Sequence, residues 1–159
     1  MSIVASFAAI SDAQLKEFLR DPDAVKTFLR NKSASRLKID RAWQGIHFVL
    51  TGEEYAGKPP LAWAVMGGKE IGPDGSYGPS RYLTAVQVMM VAEALKNISN
   101  EDFRKRFDPQ ALTLASVYPA DLWNNGDEAL AYLLMHYEAL NKYYQAAAAQ
   151  MQAMLLYMG

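Results

Sequence analysis

The sequence predicts an α+β fold: a mainly helical single domain, residues 1–159, with a small sheet that includes the N- and C-terminal strands. Apolar residues recur at helical spacing through most of the chain, and helix-capping residues precede them. Short apolar runs stand at both ends, Ile3–Ile10 and Met151–Gly159, and strands there would pair and bring the termini together. Because no linker or repeat interrupts the 159 residues, one domain is expected.

Two helix starts follow the N-terminal strand. Ser11 with Gln14 has the spacing of a capping box, in which a side-chain oxygen accepts from a backbone amide of the first turn. Asp21-Pro22 predicts a second start, since proline suits the first helical position. We therefore expect a helical hairpin or a kinked helix here.

The stretch Leu37–Gly52 predicts the central helix, with Asp40 as its N-cap and Gly52 as its left-handed end. Its apolar face carries the histidine His47, one turn after Trp43. A buried imidazole needs a hydrogen-bond partner, because an unpaired polar group costs about 1 to 3 kcal/mol. Two interpretations stay open: a core histidine bound to a carbonyl or hydroxyl, or a pocket residue able to transfer protons.

The glycine- and proline-rich segment Gly67–Pro79 follows a short apolar piece, Leu61–Met66, which we expect to be helical. The segment contains neither of the phosphate-binding glycine patterns, GxxxxGK[ST] or GxGxxG. We expect a long connection that needs positive φ at several places. Long loops are uncommon unless they are functional, and this one leads to an arginine among aromatic residues, Tyr77, Arg81 and Tyr82. Such an arginine could hold a carboxylate or a phosphate.

Three helix starts follow, each marked by a capping residue: Thr84 with Gln87, Ser99, and Asp108 before Pro109. The apolar segment Val117–Trp123 then predicts a loop that packs as a lid over the core or forms a sticky patch. The longest helix begins after a turn and carries a leucine and tyrosine stripe. His136 is offset from that stripe, so we expect it to be exposed.

Composition excludes several classes of protein. The net charge of −1, with only short basic clusters, argues against nucleic-acid binding. Since the chain has no cysteine and two histidines, we expect no disulfide, no thiolate site, no metal and no cofactor. No apolar stretch is long enough to act as a signal or to span a bilayer, so the expected location is the cytoplasm, with no membrane association.

The pattern from Asp40 to Gly52, with Trp43, Ile46, His47, Phe48, Leu50 and Thr51 between them, resembles the signature of the bacterial YfbM-like family, a domain of unknown function. Further matching motifs are Pro60-Leu61, Gly67-Gly68, Tyr77–Thr84, Arg106-Phe107-Asp108, Tyr118-Pro119 and the terminal strand. The resemblance covers essentially the whole chain. It implies a compact α+β fold and a bacterial cytoplasmic setting, and no activity.

Two functional hypotheses of different class follow. The first is a non-catalytic interaction protein, such as one that masks a partner protein in the way that bacterial immunity proteins do. The loop aromatics Tyr77, Tyr82 and Trp123 would then be exposed and would anchor the partner. The second is a pocket for a small molecule or an anion, hydrolytic in its sharpest form, with His47 as acid–base and Arg81 as anion clamp. Tyr118 or Thr51 would donate hydrogen bonds there.

Overall fold

A computed structural model of the chain describes residues 2–75 and 77–159. Its strands are β1 (Ala5–Ile10), β2 (Leu37–Lys38), β3 (Lys69–Gly75), β4 (Gly78–Leu83) and β5 (Ala153–Met158). Its α-helices are α1 (Asp12–Arg20), α2 (Asp23–Arg30), α3 (Trp43–Thr51), α4 (Trp63–Met66), α5 (Ala85–Lys96), α6 (Asn100–Arg106), α7 (Pro109–Leu114) and α8 (Gly126–Ala149). Short 3-10 helices occupy Asp40–Ala42 and Leu122–Asn124. The mainly helical α+β fold is confirmed.

The strands form one antiparallel sheet of order β2-β1-β5-β4-β3. The predicted pairing of the terminal strands is present, in register from Ala5 opposite Met158 to Ile10 opposite Ala153. Beyond the strands, the amide and carbonyl of Val4 bond those of Gly159. The two ends of the chain therefore complete the centre of the sheet.

The expectation of a long loop at Gly67–Pro79 was wrong, because β3 and the start of β4 form a hairpin there. Ser76, inside this segment, lies outside the described residues. The pairing register shifts between Ile71 and Asp74, and Gly72 has a φ of 81° at this bulge. A bulge of this kind accommodates glycine in a strand, so a composition typical of loops is compatible with pairing.

Each face of the sheet covers a separate apolar core. One face carries Phe7, Leu83 and Leu156 and packs against α3, α5 and α8 in the larger core. The opposite face carries Ile10 and Leu155 and packs against α1 and α2 in the smaller one. The alternation follows from the period of two along a strand. Consequently, neighbouring residues of β4 serve different cores.

The central helix begins two residues later than predicted, at Trp43 with Ala42 as its N-cap. Asp40 has a φ of 53° and does not cap α3; it starts the 3-10 turn. Its carboxylate instead accepts a hydrogen bond of 2.6 Å from the Tyr132 hydroxyl of α8, and this bond lowers the pKa of Asp40. The helix end agrees with the prediction, since Gly52 has a φ of 78°. Asp40 therefore joins α8 to the start of the central helix.

The predicted helix starts in the second half are confirmed. Thr84 with Gln87 and Ser99 with Asp102 form complete capping boxes, and Asp108 accepts from two amides of α7. Ser11 caps α1 by accepting from the Gln14 amide. Among the described residues, no helix combines the length and the apolar composition that crossing a bilayer requires.

Candidate functional site

A cavity of about 260 Å³ lies between the larger-core face of the sheet and the helices α3 and α4. Its lining residues come from both termini, α3, α4, the loop after α3 and the β3–β4 hairpin: Ile3, Ala5, Ser6, Phe7, Trp43, Tyr55, Val65, Met66, Tyr77, Pro79, Arg81, Leu156, Tyr157 and Met158. Most of these side chains are apolar or aromatic. A concave, mainly apolar site with a few polar groups is typical of small-molecule binding.

Trp43 forms a rigid part of the wall. Its indole Nε1 donates a 2.9 Å hydrogen bond to the carbonyl oxygen of Ile3, and its ring packs against Tyr118 with the ring centroids 5.6 Å apart. The Tyr118 hydroxyl in turn accepts from the Ile3 amide at 2.9 Å. Trp43 and Tyr118 together hold the N-terminal segment, so that segment becomes a fixed edge of the cavity.

Arg81 supplies the charged group of the lining. Its Nη1 donates to the carbonyl oxygen of Gly68 at 3.0 Å, and its Nη2 lies 3.3 Å from a carboxylate oxygen of Glu70. Gly67, with a φ of 73°, passes so close that an added Cβ would lie 3.0 Å from the Arg81 Cβ. The Gly67-Gly68 pair thus allows the backbone to reach the base of the arginine and to accept from its guanidinium.

Two tyrosines stand at the mouth. Tyr77, 39% exposed, comes from the hairpin turn, and Tyr55, 68% exposed, comes from the loop Gly52–Lys58. Buried side chains of α3 hold that loop: Gln44 Nε2 donates to the Glu54 carbonyl at 3.2 Å, and His47 Nε2 lies 2.7 Å from the Ala56 carbonyl oxygen. These bonds flank Tyr55 on both sides and fix the backbone that carries it.

A family model for a domain of unknown function, DUF1877, matches residues 1–157. The chain belongs to the DUF1877 family. A relative of this DUF1877 chain, protein YfbM of Escherichia coli (strain K12), is 29% identical over 130 residues, which cover 75% of this chain and 74% of YfbM.

The crystal structure of YfbM from Escherichia coli, titled a protein of unknown function, matches with a TM-score of 0.79 and 22% identity, over 98% of this chain and 99% of that chain. At that identity the likeness shows the fold. The family resemblance and the α+β class predicted from the sequence are both confirmed.

His47 of this DUF1877 chain does not line the cavity. It is fully buried, and because a carbonyl can only accept, the 2.7 Å contact with the Ala56 carbonyl oxygen makes Nε2 the donor. Nδ1 has no hydrogen-bond partner among the described residues. Burial lowers the pKa of His47, since the charged form would lose its hydration. The first of the two interpretations, a core histidine bound to a carbonyl, fits this geometry.

The other predicted site residues are divided between the cavity and the core. Tyr77 and Arg81 line the cavity, whereas Tyr82 is half-buried on the opposite face of the sheet. Thr51 donates to the His47 carbonyl at 2.8 Å within the helix end. The expectation that Trp123 is exposed was wrong: it is 3% exposed, with Nε1 bound to the Val117 carbonyl.

His136 was also expected to be exposed. It is half-buried, with its ring 4.8 Å from that of Tyr132. Burial lowers its pKa. It belongs to α8 and is not part of the cavity lining.

Sequence reasoning missed Tyr55, Glu70 and the contribution of Trp43 to the cavity. Trp43 stands on an apolar face, and nothing local distinguishes a packed indole from one that borders a cavity. The Gly67-Gly68 pair was the available signal, because adjacent glycines indicate a close backbone approach. Within residues 2–75 and 77–159, no cluster of three or more His, Asp or Glu side chains could hold a metal ion.

Proposed function

We propose that the protein is a non-catalytic binding module that holds a small, largely apolar molecule in the cavity between the sheet and α3–α4. The observation that carries the proposal is the lining itself: apolar and aromatic residues, among them Phe7, Trp43 and Leu156, line about 260 Å³, and Arg81 is the charged residue of the lining. Arginine stays protonated in proteins, so Arg81 is suited to hold a ligand and not to act as a base.

The size of the cavity limits the ligand. A dry apolar cavity of about 150 Å³ is large enough to bind benzene. A volume of about 260 Å³ is therefore suited to a substituted ring or a branched chain. The aromatic walls favour a flat body, because offset stacking and edge contacts add to apolar burial.

Native mass spectrometry of the protein, purified gently from its own host, tests the proposal. We expect a non-covalent adduct of metabolite size that is lost in Ala5→Val, a substitution that adds two methyl groups to the cavity wall. The matched control is Leu114→Val at a remote, 87% exposed position, which should keep the adduct. A bare chain in the wild type would count against the proposal, as would an adduct that Ala5→Val retains.

A second proposal keeps the predicted role of a protein-interaction module, including one that neutralises a partner in the manner of an immunity protein. It is supported by the outer side of α5, where Val86, Met89 and Met90 are 65%, 51% and 45% exposed. Exposed apolar patches of this kind often mark interaction sites. An added mass of protein size that Met90→Glu removes would favour it, whereas one that Met90→Glu leaves unchanged would not.

A further inference from the structure

The hydrogen bonds that Arg81 already makes indicate which kind of ligand group it can still bind. A guanidinium carries five N–H groups, and the described residues engage one from Nη1, with Gly68, and one from Nη2, with Glu70. The remaining N–H groups can meet an acceptor that enters the cavity. Because the charge is fixed and the groups are arranged as a planar fork, the matching acceptor is an anion with two oxygens in reach, a carboxylate or a phosphate.

Glu70 supplies the anion that Arg81 contacts in the structure, a carboxylate. Its carboxylate lies 3.3 Å from Nη2, longer than the usual 2.7 to 2.9 Å of a charge-assisted hydrogen bond. Both side chains of this ion pair are about half exposed, at 45% and 59%. Exposed pairs contribute little to stability, so a second carboxylate that is better placed can replace Glu70.

The rest of the lining selects the body that carries this carboxylate. Tyr55 and Tyr77, 68% and 39% exposed, offer aromatic rings beside Arg81, and the buried residues Phe7 and Trp43 line the same volume. The hydrogen bond from Trp43 to Ile3 fixes one of these rings in orientation. A flat ring can lie against them while its acid group reaches the guanidinium at the mouth.

We propose that the ligand is an aromatic monocarboxylate, with its ring in the cavity and its carboxylate taking the place of Glu70 on Arg81. This inference rests on the proposed function of the cavity. In this proposal Arg81 selects a negatively charged ligand, and the aromatic side chains of the lining select a flat ring. The Glu70 carboxylate competes with the ligand for Arg81.

The test uses the full chain and four probes of similar size: phenylacetate, phenylacetamide, phenethylamine and benzylphosphonate. Dissociation constants come from titrations followed by methionine-methyl NMR. We expect phenylacetate to bind about tenfold more tightly than phenylacetamide, because the bond to Arg81 is charge-assisted. Phenethylamine should bind most weakly.

Two variants locate the charge discrimination. Arg81→Gln should abolish the preference for phenylacetate over the amide, because it weakens phenylacetate binding more than amide binding; Arg81→Met, which also removes the charge, serves if that variant does not fold. Glu70→Gln, at an exposed position, should strengthen phenylacetate binding about twofold to threefold at low salt. Retention of the preference in Arg81→Gln would overturn the inference.

The outcomes separate this inference from the proposed function. If acid and amide bind equally, the cavity binds small molecules but the assignment of a carboxylate fails. A preference of tenfold or more for benzylphosphonate would also overturn it. If none of the four probes binds, both the inference and the proposed function fail.

Discussion

The two sides of α3 are packed in opposite ways although they belong to one nine-residue helix. Towards α8, Gly45 is so tightly enclosed that an added Cβ would lie 2.6 Å from Cη2 of Trp123. On another side, Trp43 borders the cavity, and Gln44 and His47 hold the backbone of a surface loop. A largely buried helix can therefore have one side that is packed and another that helps to form a site.

The largest effect is expected on the packed side. Gly45→Ala should lower the free energy of unfolding by about 2 to 3 kcal/mol, because overpacked cores must shift their neighbours. The neighbours that would have to move are Trp123 and Leu133, the latter 2.9 Å from the added Cβ. Urea denaturation measures the change.

The matched control is Gly126→Ala in the first turn of α8, where the nearest atom to an added Cβ is Cγ of Pro109 at 3.5 Å. There the change should be neutral or stabilising by up to about 1 kcal/mol, since alanine favours helix. If the two substitutions changed the free energy of unfolding equally, the side of α3 that carries Gly45 would not be unusually tightly packed.

An intermediate, pH-dependent effect is expected at His47. Burial depresses its pKa, so its contribution to stability is fully present above the unfolded pKa of about 6.5 and is lost as the pH falls towards the folded value. His47→Leu should cost about 1 kcal/mol at pH 7.5 through the lost bond to Ala56. The difference in the free energy of unfolding between His47→Leu and the wild type should be smaller at pH 5.5 than at pH 7.5.

Both chains are best compared in a His136→Gln background, because burial also lowers the pKa of His136. The carboxyl groups with lowered pKa, Asp40 and Asp102, titrate below this pH range. A difference between the two chains that is the same at pH 7.5 and pH 5.5 would show that His47 gains no proton on unfolding.

The smallest effect on stability is expected on the cavity side. Ala5→Val should change the free energy of unfolding by less than about 1 kcal/mol, because Ala5, although only 1% exposed, lines the cavity, where neighbouring side chains have room to shift, and valine suits a strand. Ala8→Val provides the comparison on the same strand. Because Ala8 is fully buried in the smaller core, this substitution should lower the free energy of unfolding by about 1 to 3 kcal/mol. A larger loss at Ala5 than at Ala8 would indicate that the cavity wall is already close-packed.

Local signals in the sequence explain which parts of the fold were predictable. Thr84, Ser99 and Asp108 cap helices through bonds to amides two or three residues away, so residue spacing alone identifies them. Asp40 is an aspartate like Asp108, and it was predicted to cap a helix in the same way. Its carboxylate instead accepts a hydrogen bond from the hydroxyl of Tyr132, 92 residues along the chain. The β3–β4 hairpin was missed for a related reason: β4 pairs with β5, and this distant partner holds a glycine-rich segment in the sheet.

The candidate site was predictable only in part. Tyr77 and Arg81 are close in sequence, and the hairpin places both on the cavity; their role stays a prediction. Trp43 and Tyr55 reach the same volume from α3 and its following loop, which no spacing rule reveals. The sequence predicts a partner for His47, because a polar residue on an apolar face needs one, and that partner is the backbone carbonyl of Ala56.

Methionine-methyl NMR tests the central claim most directly, because Met66 and Met158 line the cavity while Met135 and Met151 are 59% and 71% exposed elsewhere. With the methyl groups of the eight methionines labelled, phenylacetamide is added to the full chain. The account predicts saturable shifts at Met66 and Met158 that Ala5→Val abolishes, with Met135 and Met151 unchanged. Unmoved signals of Met66 and Met158, or equal shifts at the exposed methionines, would contradict it.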